Sequence, residues 1–170
     1  MNNDRQTILD TLQNLGIQYT LLEHDECQTM LDLKECEKEL GAEHCKNLFL
    51  QDRQGREFFL LLLVGNKKFR TAEVSKEIGR ARLSFGNGEK LMELLHETGG
   101  AINPLGLIFD TSRTTILLID EDLKNFDEIC FHPNDSRFSL KMKYSDFVNI
   151  FLPYVQFEPT YIKVSSYLEK

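Results

Sequence analysis

Two residues, Lys46 and His132, have a reactive side chain at a position where it could contact a substrate. Lys46 begins the apolar run KNLFLQ, and a lysine at the end of a strand can hold a phosphate or a carbonyl oxygen as a compact point charge. His132 stands in the turn FHPND, and a histidine on a loop at a sheet end is a candidate for proton transfer or ligand binding. Each has an ordinary alternative, since a rim lysine can extend into solvent and a turn histidine can face water.

The stretch GGAINPLGL, residues 99–107, predicts an irregular loop. Two glycines end a helix, and Pro104 and Gly106 then fix the turn. Such a loop exposes backbone N–H and C=O groups and lets a ligand approach closely, so it is a candidate rim for a small polar pocket. A plain connection from a helix to a strand explains the same residues equally well.

The four cysteines, at positions 27, 36, 45 and 130, show no metal-binding or redox signature. They are separated by 9, 9 and 85 residues, so the chain has no CxxC pair. Structural zinc sites usually bring two ligands together on a tight turn. We therefore expect free thiols and no metal, although five residues could supply ligands in principle: His24, Cys27, Cys36, His44 and Cys45.

Length, charge and hydropathy exclude several classes of protein. The 170 residues suffice for one domain with its own core. The 20 basic and 27 acidic residues give a net charge of −7, which argues against general binding to DNA or RNA phosphates. The longest apolar run, residues 58–64, is too short to span a membrane, and no signal-peptide pattern is present. We therefore expect a cytoplasmic protein. The GxxxxGK[ST] and GxGxxG motifs are also missing, so we expect no nucleotide cofactor.

One segment is basic although the whole chain is acidic. Residues 67–82 contain six basic and two acidic side chains, a local balance of +4. A concentrated positive patch can hold a phosphate backbone at one place. A solvated helix face, with charges at helical spacing, is the simpler explanation of the same pattern.

The hydropathy pattern alternates between helices and strands, with frequent hairpins. It predicts a mixed sheet with helices around it. Helices are predicted at residues 4–15, 29–40, 71–78, 87–98 and 144–152, with Thr71 capping the third and Asn87 the fourth. Strands are predicted at residues 18–23, 47–50, 57–64, 82–85, 107–109, 115–119, 128–131 and 137–141.

Several runs, in this order, resemble the YbaK/prolyl-tRNA-synthetase-associated editing-domain family. They are KNLFLQDRQGREFFLLLLVGNKKF, LSFGNGEKLMELLHETGGAINPLGLIFD, LIDEDL and FHPNDSRFSLKMKYSDFVNIF. The resemblance covers about residues 5–152 and favours the free-standing branch that hydrolyses alanyl-tRNA(Pro). It implies an α+β fold, with a single compact domain built on a bent mixed β-sheet surrounded by helices. Residues 1–153 would form the editing domain and 154–170 a C-terminal extension, docked or loose.

The resemblance also assigns site residues. The family's essential lysine falls on Lys46, the glycine of its GxxxP loop on Gly100 and the histidine of its FHP turn on His132, and these three are the expected catalytic residues. The expected substrate-binding residues are Asn47, Ala101, Ile102, Asn103, Pro104, Gly106 and Asn134. Gly99, Asn103 and Leu105 depart from the family's usual loop, and Ser136 and Ser139 replace its paired threonines, which bears on aminoacyl specificity.

The reaction implied is hydrolysis of the ester of a mischarged tRNA, without a cofactor. An aminoacyl ester is already activated, so positioning and polarisation can suffice. A water or the neighbouring ribose hydroxyl would attack. The expected partners are mischarged tRNA, above all tRNA(Pro), and prolyl-tRNA synthetase, with acceptor-arm contacts from Lys67, Lys68, Arg70 and Arg80. Two other classes stay open: a non-catalytic module that binds aminoacyl-tRNA or an amino acid, and a cysteine-based hydrolase or redox protein.

Overall fold

The structure, a computed structural model, describes residues 3–27 and 30–165. Its α-helices are α1 (Asn3–Asn14), α2 (Met30–Leu40), α3 (Thr71–Glu77), α4 (Gly88–Leu95), α5 (Tyr144–Asp146) and α6 (Leu152–Val155). Its strands are β1 (Tyr19–Glu23), β2 (Lys46–Gln51), β3 (Phe58–Leu63), β4 (Ser84–Phe85), β5 (Thr115–Asp120), β6 (Glu128–Phe131), β7 (Phe138–Lys143) and β8 (Thr160–Ile162). Short 3₁₀ helices occupy Gly99–Ala101, Pro104–Phe109 and Glu121–Asn125.

The strands of the described residues form two sheets. The larger has the order β4-β2-β3-β5-β8 and is mixed, because β3 and β8 run parallel to β5 while β2 runs antiparallel to β3. The smaller is antiparallel, with the order β1-β7-β6. A single bridge between His44 and Cys130 joins them. The predicted α+β class with a bent mixed sheet is confirmed.

The larger sheet has a core on each face. Strand β3, FFLLLL, is buried along its whole length, as expected of a central strand covered on both sides. The alternation of its side chains divides them between two clusters. The main cluster includes α1, α4 and the smaller sheet, and the second lies under α3 and β8. The hairpin between β2 and β3 is closed by Asp52, whose carboxylate accepts from the Arg56 and Glu57 backbone N–H groups.

Three local predictions are wrong. The strand predicted at residues 107–109 is part of the 3₁₀ helix Pro104–Phe109, because a short apolar run fits a buried turn as well as a strand. Thr71 is the first residue of α3 and not its cap. The last helix does not stop before Pro153: a π turn, Phe147–Phe151, leads into α6, where regular bonding is already interrupted and a proline is tolerated.

The C-terminal segment is docked as far as the structure describes it. Strand β8 adds to the edge of the larger sheet beside β5. Lys67 fixes the same region: its buried ammonium contacts Asp120 at 3.0 Å, Asp122 at 2.7 Å and the Val164 carbonyl at 2.9 Å. Among residues 3–27 and 30–165, no helix has the length and apolar character needed to cross a membrane.

The Lys67 ion pair predicts a large stability difference between neighbouring lysines. Lys67→Ala would leave the carboxylate of Asp120, which is fully buried, without its cation. We expect a loss of about 3–5 kcal/mol in the free energy of unfolding by urea. Lys68→Ala, at an exposed position, should change it by less than about 0.5 kcal/mol. Similar values for the two variants would show that the buried pair does not stabilise the fold.

Candidate functional site

The loop that follows α4 is held by the side chain of Asn103, which is completely buried. Its amide nitrogen lies 2.7 Å from Asn134 Oδ1, 3.0 Å from the Ala101 carbonyl and 3.1 Å from Glu97 Oε2. Its amide oxygen accepts from the Leu105 backbone N–H at 3.0 Å. One amide therefore ties together the end of α4, both ends of the loop and the turn between β6 and β7.

Glu97 and Gly106 pack directly against each other below this loop. A Cβ atom on Gly106 would lie 2.0 Å from Glu97 Oε2 and 2.8 Å from the Leu95 carbonyl, so only glycine fits. Burial raises the pKa of Glu97 well above its usual range, although the hydrogen bond from the Asn103 N–H opposes the shift. Gly106 is thus required by the packing of a buried carboxyl group.

Five of the residues expected to bind substrate are buried. Asn134 has a left-handed backbone (φ 54°), and its amide donates to the carbonyls of Leu95 and His96. Their burial lets these residues support the loop, and their contact with substrate stays a prediction. The five buried residues are Ala101, Asn103, Pro104, Gly106 and Asn134.

Asn47, Ile102 and Gly100 remain close to the surface of the loop. Asn47 donates from its amide nitrogen to the Ile102 carbonyl at 3.1 Å, which joins β2 to the loop. Its amide oxygen has no hydrogen-bond partner within the described part of the chain, and an unpaired buried acceptor is costly until a donor reaches it. Gly100 is exposed, and a Cβ there would meet nothing closer than 4.0 Å.

Lys46 lies on the other face of β2 from Asn47, because side chains alternate along a strand. Its ammonium donates to the Lys67 carbonyl at 2.7 Å. This contact places the Lys46 charge beside the start of the basic segment. Lys46 and Asn47 therefore point to two separate regions, and Lys46 lies at the end of the larger sheet, where its strand position predicted it.

His132 is held as a neutral imidazole. Its Nδ1 lies 2.8 Å from the Phe138 carbonyl, and because a carbonyl can only accept, Nδ1 carries the proton. Nε2 is then the unprotonated nitrogen. Burial lowers the pKa of His132 to about 4, and nearby His44 and His24 contribute in the same direction. His132 can accept a hydrogen bond at neutral pH but does not supply a positive charge.

A cluster that the sequence did not reveal surrounds His132. The hydroxyl of Ser139 lies 2.7 Å from His24 Nε2 and 2.8 Å from His44 Nε2. His44 Nδ1 in turn lies 3.4 Å from a carboxylate oxygen of Glu37. His44 Nδ1 has no hydrogen-bond partner within the described part of the chain, and Glu37 accepts from the His44 backbone N–H instead, so Glu37, His44 and Ser139 do not form an acid–histidine–serine triad. Since Ser139 is completely buried, its hydroxyl cannot reach an ester, and the cluster serves to position His132 and His24.

The basic segment contributes fewer exposed charges than its composition suggests. Lys67 was expected to contact tRNA, but its ammonium is buried between two carboxylates, so that prediction is wrong. Arg80 pairs with Glu57 at 2.7 Å near the surface. Lys68 and Arg70 are exposed. The exposed positive residues next to the Lys46–Lys67 contact are therefore Lys68 and Arg70. The pair between Arg80 and Glu57 lies at the opposite end of the β2–β3 pair.

This combination of an α+β fold, a buttressed GxxxP loop and a neutral histidine agrees with a known family. The family model described as "Aminoacyl-tRNA editing domain" matches residues 24–150. The chain belongs to the aminoacyl-tRNA editing domain family, which confirms the resemblance found in the sequence.

Relatives agree with this assignment, and a solved structure shares the fold. "Prolyl-tRNA editing protein ProX" of Acetoanaerobium sticklandii is 30% identical over 146 residues, which cover 86% of this chain and 89% of the relative. "Prolyl-tRNA synthetase associated domain-containing protein 1" of Xenopus laevis is 27% identical over 147 residues, 85% of this chain and 88% of the relative. A crystal structure described as a candidate trans-editing enzyme for prolyl tRNA synthetase superimposes with a TM-score of 0.70 at 18% identity, covering 97% of this chain and 99% of that one.

The environment of His132 predicts an unusual titration. In a proton NMR titration, its ring C–H signals, assigned with a His132→Gln variant, should move with a midpoint near pH 4. An exposed histidine titrates near about 6.5. Because the folded-state pKa lies below the unfolded value, stability should also fall as the pH drops from about 6.5 towards 4. A midpoint near 6.5 would show that His132 is solvated and available as a cation.

Proposed function

We propose that this protein is a trans-editing deacylase that hydrolyses the ester of mischarged tRNA, with alanyl-tRNA(Pro) as its substrate. Membership in the editing family supports the reaction, and the names of the relatives support a prolyl-tRNA context. The observation that carries the proposal is the contact between Asn47 and the Ile102 carbonyl. It places an unpaired acceptor beside a loop whose shape is fixed from below.

The aminoacyl group would bind between Asn47 and the loop. The α-ammonium group of alanine is a donor of the kind that the Asn47 amide oxygen lacks. The ester carbonyl would pass over Gly100, where the backbone is exposed and no side chain blocks the approach. A site that is closed around a small side chain excludes proline by size, which is how a second pocket corrects errors that a larger pocket admits.

The tRNA end would bind at the neighbouring end of the sheet. Lys46 would hold the terminal phosphate or ribose, because its ammonium lies beside the exposed segment that carries Lys68 and Arg70. These two residues, with Arg80 in a lesser role, would contact the acceptor arm. Neutral His132 would accept a hydrogen bond from the attacking group, a water or the ribose hydroxyl. Such an enzyme would act in the cytoplasm alongside prolyl-tRNA synthetase.

Single-turnover deacylation tests the reaction and the role of Lys46 together. The purified protein should release alanine from alanyl-tRNA(Pro) and leave prolyl-tRNA(Pro) intact, and thiol blocking should not stop the release. Lys46→Ala should slow release by about 30- to 1,000-fold, because removing a charge-assisted hydrogen bond from the transition state costs about 2–4 kcal/mol. Lys46→Arg should not restore the full rate, because the planar guanidinium differs in shape and reach.

The control for Lys46 is Lys124→Ala, an exposed lysine on the turn after β5, which should hydrolyse alanyl-tRNA(Pro) at the original rate. Melting curves of both variants distinguish a defect in chemistry from a defect in folding. Binding without release by the original protein would instead support a non-catalytic aminoacyl-tRNA sensor. Normal hydrolysis by a folded Lys46→Ala protein would remove Lys46 from the reaction.

The exposed charges beside Lys46 predict salt-dependent tRNA binding. Charge reversal of both residues, Lys68→Glu with Arg70→Glu, should weaken tRNA binding. It should also reduce the slope of log affinity against log salt concentration by about one to two units, because one or two phosphate contacts are lost. Reversal of Lys90 to Glu, on α4, is the matched control and should leave the slope unchanged. An unaltered slope in the double variant would place the tRNA on another surface.

A further inference from the structure

Three side chains with metal-ligating atoms converge where β1 ends and α2 packs. Cys27 Sγ lies 3.7 Å from Cys36 Sγ and 3.9 Å from His24 Nδ1. All three ligand atoms lie within 4.8 Å of one another. His24 and Cys27 are half-buried and Cys36 is buried, so the group is partly shielded from solvent. None of these residues takes part in the substrate contacts described above.

Two of the three separations are close to those between the ligands of a tetrahedral zinc ion. Zinc–thiolate bonds of about 2.3 Å at a tetrahedral angle put two sulfurs about 3.8 Å apart. A zinc-bound imidazole nitrogen would lie about 3.5 Å from each sulfur. The 3.7 Å between Cys27 and Cys36 agrees with the first value, and the 3.9 Å to His24 Nδ1 needs only a small movement. A disulfide needs about 2.05 Å between the sulfurs, far less than the 3.7 Å between Cys27 and Cys36.

We propose that His24, Cys27 and Cys36 form a binding site for a thiophilic divalent cation such as zinc, with the fourth position open to water. The cation would connect the middle of α2 to the segment that follows β1. Cys36 reaches the site because α2 (Met30–Leu40) carries it back towards Cys27. This explains why a spacing of nine residues shows no metal signature in the sequence.

The surroundings of the three ligands favour a cation. His24 Nε2 lies 2.7 Å from the hydroxyl of Ser139, the kind of outer contact that orients a metal-bound imidazole. His24 Nδ1 lies 2.7 Å from the Asp25 carbonyl, and binding would replace this hydrogen bond with the metal bond. The carboxylates of Asp32 and Glu37 lie close enough to Cys27 to act on it electrostatically, and their negative charges would attract a divalent cation.

The site would also couple to the candidate catalytic histidine. The Ser139 hydroxyl that contacts His24 also lies 3.4 Å from His132 Nδ1. The rings of His24 and His132 have centroids 5.8 Å apart. A cation that fixes the His24 ring therefore fixes one wall of the space around His132, without contacting the ester.

Cobalt substitution tests the proposal without any variant. Tag-free protein, reduced and freed of reductant, should bind one equivalent of Co²⁺ and develop both the sulfur-to-cobalt charge-transfer band and the intense visible bands of tetrahedral coordination. Zn²⁺ should displace the cobalt and remove these bands. It should also raise the melting temperature of the protein, since a ligand that binds only the folded state stabilises it.

Variants assign the ligands. Cys27→Ser and Cys36→Ser should each weaken Zn²⁺ binding, measured by competition with a chromophoric chelator, by at least about 100-fold, because even outer contacts cost about 10- to 100-fold. Ser139→Ala, which keeps all three ligands, should weaken it by about 10- to 100-fold. Cys45→Ser is the control and should bind as the original protein does.

The outcomes are separable from those of the deacylation assay, because every readout here is metal binding. Absence of the cobalt bands, or an octahedral spectrum without sulfur bands, would overturn the proposal. So would equal affinity in Cys27→Ser and Cys45→Ser proteins. A Cys27–Cys36 disulfide that forms in the presence of zinc and excludes it would show that the pair is a redox couple.

Discussion

The buried amide of Asn103 is the contact on which the geometry of the candidate site depends. Its nitrogen and oxygen together engage Glu97, Ala101 and Leu105 of the same loop, and Asn134, which lies 31 residues away in another segment of the chain. A buried polar group is inexpensive only when each of its hydrogen bonds is made. The loop and the turn that carries His132 are therefore fixed relative to each other by one side chain, which no ligand needs to touch.

Local patterns predicted most of the elements, and they failed where the decisive contacts are distant in sequence. Asn87 was predicted to cap the helix after it, and its side chain does accept from the Lys90 backbone N–H. The β2–β3 hairpin also follows from its apolar runs and polar turn. Lys67 shows the opposite case: its partners Asp120 and Asp122 lie 53 and 55 residues away. Composition around Lys67 suggested an exposed charge, because nothing in its neighbourhood reveals a distant acid.

The resemblance indicated the candidate site, but it did not show which of its residues support the loop and which lie near the surface. Contact with substrate and support of the loop use the same residue types, so the sequence could not tell Asn103 from Asn47. Burial separates them: Asn103 has every polar side-chain atom bonded, while Asn47 keeps one unpaired acceptor. The grouping of His24, His44 and Ser139 could not be foreseen, because strand pairing and tertiary packing, which leave no motif, bring them together.

The opposite orientation of Lys46 and Asn47 limits how this domain can change over evolution. Neighbouring residues on β2 face two different regions, so a single-residue insertion upstream in the strand would exchange them and turn the lysine towards the loop. Length variation should therefore be confined to the turn at residues 52–57, outside the paired region of β2 and β3. Under the proposed function, the amino acid and the tRNA would contact opposite faces of β2. Substitutions on one face would then alter the preferred amino acid and those on the other the preferred tRNA, so the two preferences would diverge independently.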